Sequence, residues 1–326
     1  MASSTRRLFI VFIALLAVTT VWKVLEHRRT TVRVRPFTRI AAEEVTRIEM
    51  GGRSQDVVLE LQGDRWMVVE PLVYPADQNA VTGLLEQAAG LSVVNLVSDN
   101  PANHDLYEVG PDTGALVRLL GGPDGERNLL DFYIGKLTSD FGHTYVRQFG
   151  SDEVYTARGM LQGYFSKTVS AWRDHTIWAL EAEGIRQVEL TSPEATWTLT
   201  HRDLGGDPDG PLWRLSAEGT TVAADSTKVV RLLRSAASLR AGDFPAVGEM
   251  QDADWSTPTM RLVLVLDDGS RYGVNAAARE GDSSRQWIRK DGDETVFIIY
   301  RSSLDPIRRT KEQLLPEAAP VGSSGR

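Results

Sequence analysis

Residues 75–91, PADQNAVTGLLEQAAGL, and residues 223–239, AADSTKVVRLLRSAASL, repeat one another without a gap. Ala76/Ala224, Asp77/Asp225, Val81/Val229, Leu84/Leu232, Leu85/Leu233, Ala88/Ala236, Ala89/Ala237 and Leu91/Leu239 coincide. Average residue usage gives about one identity in such a window. In the first window Val81, Leu84, Leu85, Ala88 and Leu91 fall at helical spacing and make one apolar stripe. Val229, Leu232, Leu233, Ala236 and Leu239 make the same stripe in the second. Asp77 and Asp225 each stand where a carboxylate caps a helix start by accepting backbone N–H bonds. Both acids are therefore read as structural.

The repeat extends in both directions. Upstream, VTRIEM (45–50) matches IRQVEL (185–190), both alternating as half-buried strands do. VVLELQGDRWMVV (57–69) and TWTLTHRDLGGDPDGPLWRL (196–215) each read as a hairpin, with Trp66 and Trp213 in equivalent places. Downstream, YVRQFGSDEVYTA (145–157) matches WIRKDGDETVFII (287–299), aligning Arg147 with Arg289 and Gly150 with Gly292 across a turn. Each unit thus predicts strand, hairpin, helix, further strands, hairpin and a closing helix, the last near 158–178 in the first copy and 303–315 in the second. The fold class is α+β, with two tandem repeats of a mostly antiparallel sheet covered by a helix. The boundaries read 45–180 and 185–315, followed by a Pro/Gly/Ser-rich tail at 316–326 expected to be disordered.

Charge divides the 326-residue chain unevenly. Residues 1–39 hold eight arginines and lysines against Glu26 alone, a balance of +7 within a net charge of −8, so the remainder carries −15. An acidic body does not suit nucleic acid, which needs a basic face. The basic neck at 26–44 suits anionic lipid headgroups. It follows LFIVFIALLAVTTVW, which with Lys23 snorkelling runs over 8–25, about 27 Å of helix. Residues 8–25 are read as a transmembrane signal anchor behind a cytoplasmic tail at 1–7. The rival is a cleaved signal peptide, but no small-x-small site precedes the neck. A literal charge count favours a cytoplasmic neck, whereas a short tail ending in two arginines favours N-in insertion. The reading adopted places the body in the periplasm, on the bacterial inner membrane.

W-x-V-x-x-P near Trp66, LYEVGP at 106–111, FYIGK at 132–136, YVR…VY at 145–155 and WRDHTIW at 172–178, in this order behind one anchor, resemble the domain of unknown function 4340 family over about residues 45–310. Where that family's text runs closer to Tyr-Gly-Leu, this chain has Tyr107-Glu108-Val109-Gly110. The resemblance implies an envelope protein found near gliding-motility-type ABC transporter components, with an accessory or scaffold role and no active-site motif.

The chemistry-bearing residues are sparse. With no cysteine, disulfides, thiolate catalysis and cysteine-held metals are excluded. Asp99, His104, Asp105 and Glu108 lie within ten residues, but their spacing matches no metal motif and suits a solvated turn. His143 and His175 stand alone. GALVRLLGGPDG (114–125) lacks the phosphate-loop spacing, and Asp267-Asp268-Gly269 reads as a hairpin turn. Trp66, Trp213, Tyr145 and Trp287 suit core packing better than a glycan platform. The reading is a non-enzymatic binding or assembly component with no cofactor and no metal, partnered by the bilayer and by membrane proteins such as ABC transporter subunits. The alternatives are a polysaccharide- or peptidoglycan-binding module and a hydrolase using Asp99, Asp105 and Glu108.

Overall fold

The computed structural model describes residues 35–37, 40–53, 55–205, 209–246, 249 and 253–317. The stretch 8–25 read as an anchor lies outside the described residues, as do most of the neck and the tail beyond 317. Among the described residues no helix is long and apolar enough to cross a membrane. The chain is α+β, built on two large antiparallel sheets, and divides into two units, Met1–Asp174 and His175–Arg326.

In the first unit the strands are β1 (Arg35–Pro36), β2 (Val45–Gly52), β3 (Val57–Gln62), β4 (Arg65–Glu70), β5 (Tyr74–Pro75), β6 (Ser92–Ser98), β7 (Ala115–Gly121), β8 (Arg127–Leu137), β9 (His143–Gln148) and β10 (Val154–Arg158). They form one sheet in the order β1-β6-β10-β9-β8-β7-β2-β3-β4-β5. The helix α1 (Gln78–Ala89) buries Val81, Leu84, Leu85 and Ala88. These join Ile48, Leu59, Val68, Val117, Phe132 and Val146 from the sheet in one core.

The second unit contains β11 (Thr176–Ala179), β12 (Ile185–Thr191), β13 (Thr196–His201), β14 (Trp213–Ala217), β15 (Thr220–Ala223), β16 (Ser238–Arg240), β17 (Met260–Leu266), β18 (Arg271–Arg279), β19 (Asp282–Lys290) and β20 (Val296–Tyr300). Eight of them run β20-β19-β18-β17-β12-β13-β14-β15, while β11 pairs with β16. A single bridge, Asp243 to Ile298, links the segment after β16 to β20. The register also agrees: Ala115 faces Ile134 and Ile134 faces Val146, as Met260 faces Ala276 and Ala276 faces Ile288. The strand Thr176–Ala179, left by the sequence pattern at the end of the first repeat, belongs by its pairing to the second unit.

The closing helices differ from expectation. Instead of one helix over 158–178 there are two single turns, α2 (Gln162–Phe165) and α3 (Val169–Trp172). Ser166 leaves helical geometry, and the Thr168 side chain accepts the Ala171 N–H to begin a new turn. Instead of one helix over 303–315 the second unit has α4 (Arg202–Gly205) in its hairpin loop, the repeat helix α5 (Ser226–Ala237), then the turns α6 (Arg301–Leu304) and α7 (Lys311–Leu314). Pro306 cannot donate to a continuing helix. Thr310 restarts it, its N–H donating to Gln313 Oε1 at 3.1 Å as in a capping box.

Candidate functional site

The residues singled out in the sequence fall into two groups. The first surrounds the start of each repeat helix. Asp77 Oδ1 accepts from Asn79 N at 3.0 Å and Ala80 N at 3.1 Å. Asp225 Oδ1 accepts from Thr227 N at 2.8 Å and Lys228 N at 3.1 Å. The residue before each cap donates its N–H to a tryptophan carbonyl, Ala76 to Trp66 at 3.0 Å and Ala224 to Trp213 at 2.9 Å. Each cap residue then donates its own N–H to the closing turn, Asp77 to the Trp172 carbonyl at 2.8 Å and Asp225 to the Leu314 carbonyl at 2.9 Å. The helix start is thereby clasped between the tryptophan strand and the end of its unit.

The second group brings together LYEVGP, FYIGK and YVR in the first unit. Arg147 is buried; its Nε donates to the Val109 carbonyl and its Nη1 to the Ser151 carbonyl, each at 2.9 Å. Its guanidinium lies 4.4 Å from the Tyr133 ring centre, a cation–π contact strengthened by desolvation. Tyr107 packs on Tyr145 with centroids 4.7 Å apart. Gly135 lets the loop approach, since a Cβ there would stand 2.2 Å from the Tyr107 carbonyl oxygen and 2.7 Å from Val109 Cγ1. Glu108 takes up a left-handed conformation, φ 57° and ψ 40°, where a glycine would carry no strain, and pairs with Arg53. In the second unit Ala277 holds the place of Gly135 by register, and Arg289 lies 4.5 Å from the ring centre of Trp255.

These roles use up the chemistry-bearing candidates. His104 Nε2 lies 3.1 Å from the Asp152 carbonyl, and Asp105 Oδ1 accepts from Thr113 Oγ1 at 3.0 Å. Asp99 is exposed. Among the described residues no three His, Cys, Asp or Glu side chains are grouped to hold a metal ion. His143 Nδ1 sits 3.5 Å from Asp140 Oδ2. The Thr138 hydroxyl, then the Gly142 N–H, hold the Asp140 carboxyl below its usual range. His175 Nδ1 lies 3.3 Å from the Ala241 carbonyl. Asp268 accepts the Ser270 N–H at 2.8 Å in the β17–β18 turn, with Gly269 at φ 82°. Trp66, Trp213 and Trp287 are all buried and Tyr145 half-buried, so they do not form an exposed strip.

Two depressions in the second unit carry polar groups that the sequence reading missed. A pocket of about 200 Å³ is lined by Arg186, His201, Trp213, Val230, Leu233 and Arg234. The His201 ring stands edge-on to Trp213 at 5.0 Å, and its Nδ1 accepts the Asp203 N–H at 3.3 Å. Burial pushes the imidazole below its usual pKa, outweighing the opposing pull of the Asp203 carboxylate, whose Oδ2 is 3.0 Å away. Arg186 reaches Asp203 Oδ2 at 3.3 Å and Asp267 Oδ2 at 3.5 Å. Among the described residues the pocket lining contains no hydroxyl nucleophile.

The larger depression is an open groove of about 510 Å³ along α5 and α7, where Lys228, Arg231 and Arg309 stand over Leu232 and Leu314. Lys228 Nζ donates to the Leu315 carbonyl at 2.7 Å. Among the described residues no carboxylate lines it. Its signal was present in the aligned windows, where Lys228 and Arg231 replace Ala80 and Gly83.

A family model described as "Domain of unknown function (DUF4340)" matches residues 66–259, from the first hairpin to the approach to β17. No curated protein and no solved structure matches the chain.

Proposed function

The chain belongs to the DUF4340 family, and on that premise we propose that it is a non-enzymatic, membrane-anchored envelope protein, a binding or assembly component working beside an ABC-type, gliding-motility-like transporter. Residues 8–25 anchor it in the bacterial inner membrane, and the basic neck lies against anionic headgroups. The body occupies the periplasm as two copies of one α+β unit. The strand order common to both sheets carries this reading, because a duplicated scaffold offers two related surfaces for assembly. The partners found for Arg147, Asp77, Asp225, Asp105 and Glu108 support it too, since each is engaged in holding a loop, turn or helix end.

Co-purification from detergent-solubilised native membranes, with identification of the retained proteins, tests the assembly role. Transporter subunits retained in fixed proportion are the expected result; a chain that purifies alone would end this reading. Mass spectrometry of the same material reads the mature N-terminus, and a start at or beyond about residue 20 would replace the anchor with a cleaved leader. Protease added to the periplasmic face of opened cells should digest residues 40–326; protection there would reverse the orientation.

A further inference from the structure

The groove on α5 runs against the charge of the molecule around it. Beyond residue 39 the chain carries a net −15, yet α5 presents Lys228, Arg231 and Arg234 with no acid after its cap. Lys228 and Arg231 are one turn apart and so share a helix face. Arg309 lines the same groove.

The matching helix of the first unit shows what this architecture looks like without such a groove. Aligned on their caps, α1 places Ala80, Gly83 and Glu86 where α5 has Lys228, Arg231 and Arg234. The Tyr164 ring occupies the space over Gly83, close enough that a Cβ there would meet it at 3.8 Å. In the second unit the described residues leave that space open.

The free polar capacity of the groove consists mostly of donors. Lys228 spends one of its three ammonium hydrogens on the Leu315 carbonyl. Gln313 accepts the Thr310 N–H through Oε1, which leaves its amide hydrogens to donate. Arg231 and Arg309 are exposed guanidinium forks, groups that bind phosphate bidentately. Leu232 and Leu314 are buried beneath the groove, so its accessible apolar surface comes from Pro306 and the methylene stems of Lys228, Arg231 and Arg309. Three cations exceed the need of one carboxylate and match the several acceptor oxygens of a phosphate group. A bare inorganic anion would leave that apolar surface unused.

We propose that this groove binds a phosphate-bearing amphiphile of the anionic phospholipid type. Its phosphate is held by the charged ends of Lys228, Arg231 and Arg309, and its apolar portion lies on Pro306 and the methylene stems of those side chains. This assigns a ligand class to a chain read as a binding component and rests on that reading, but not on the anchor. A chain found to be cleaved after residue 25 would keep the groove.

The test uses the full chain in non-ionic detergent, titrated with dihexanoyl phosphatidylglycerol, with dihexanoyl phosphatidylcholine and inorganic phosphate as separate arms, read by thermophoresis. The expected result is saturable binding of the phosphatidylglycerol, weakened about tenfold or more in R231E/R309E, the scale of losing charge-assisted hydrogen bonds. The charge-matched R65E/R158E variant should bind as the parent does. Both variants alter exposed side chains, and an unchanged thermal transition shows that each is folded. Should R231E/R309E unfold, the single variant R231Q replaces it, with weaker binding still required. Equal binding of the zwitterionic lipid, or no loss in the variant, overturns the proposal. Inorganic phosphate binding as tightly as the lipid would make the ligand a free phosphate and overturn the amphiphile. Failure of every arm, with transporter subunits still co-purifying, would remove the groove and leave the assembly role standing.

Discussion

In the first unit the repeat helix Gln78–Ala89 sets Gly83 beneath Tyr164 and carries Glu86. In the second, Ser226–Ala237 sets Arg231 beside an open groove and carries Arg234. The positions around them hardly differ. Asp77 and Asp225 cap the two helices in the same way, Trp66 and Trp213 receive the same backbone N–H, and both helices clasp the last turn of their unit. Residues that organise the sheet and its helix are retained, whereas those facing outward on the helix are free to change charge and size. Shared architecture therefore does not imply shared chemistry.

The largest effects should come from the positions where the units agree most. Trp66→Ala and Trp213→Ala each empty a buried aromatic site and should cost about 3–5 kcal/mol. Calorimetry of the full chain should show two transitions, each variant lowering one of them. A single transition lowered equally by both would join the units into one cooperative block and break the comparison.

Gly135 and Ala277 come next, because they hold one register position under different loops. Gly135→Ala would drive a Cβ against the Tyr107 carbonyl and should destabilise the first unit by about 1–3 kcal/mol. Ala277→Gly should cost the second unit only about 0.5–1 kcal/mol. Equal costs in denaturant titrations would show that the two loops press on the sheet alike.

Removing either cap, by Asp77→Ala or Asp225→Ala, should cost about 0.5–2 kcal/mol, with Asn or Ser in place of Asp nearly neutral. If Asn failed to substitute at one site only, the carboxylate there would serve something beyond capping. The smallest effect concerns His201, which has no histidine counterpart in the first unit. Its pKa is lowered on folding, so the unfolded chain binds the proton more readily. Its stabilising share is fully present above the ordinary histidine pKa of about 6.5 and is lost as pH falls from there through the lower folded pKa. His201→Gln should flatten the drop in thermal midpoint between about pH 7.5 and pH 5.5. An unchanged slope would place that pH dependence elsewhere.

Local chemistry was plain in the sequence. The caps, the apolar stripes and the glycine turns could be read directly, and Gly150 and Gly292 adopt nearly the same positive φ, 77° and 74°. Sheet order could not be read, because β2, paired on one side with its chain neighbour β3, pairs on the other with β7, far along the chain. Thr176–Ala179 was hidden for the same reason, its partner being Ser238–Arg240. The groove escaped notice because its two walls, α5 and α7, are distant in sequence and meet only in the fold. The closing turns were misjudged because an apolar, aromatic stretch reads as helix until Pro306, Thr310 and Thr168 are weighed as stops and starts.

The clasp between each helix start and the end of its unit has a bearing on biogenesis. A ribosome delivers Asp77 long before Trp172, and Asp225 long before Leu314, so neither clasp forms while its unit is still being made. Until then the helix start has no closing carbonyl to bind, and for most of that time the sheet lacks its last strands. Late closure of this kind makes folding slow and leaves apolar strands exposed to other chains. A premature stop just short of residue 172 or 314 should therefore leave an unclasped unit that draws chaperones and proteases, even though it contains every strand of its large sheet.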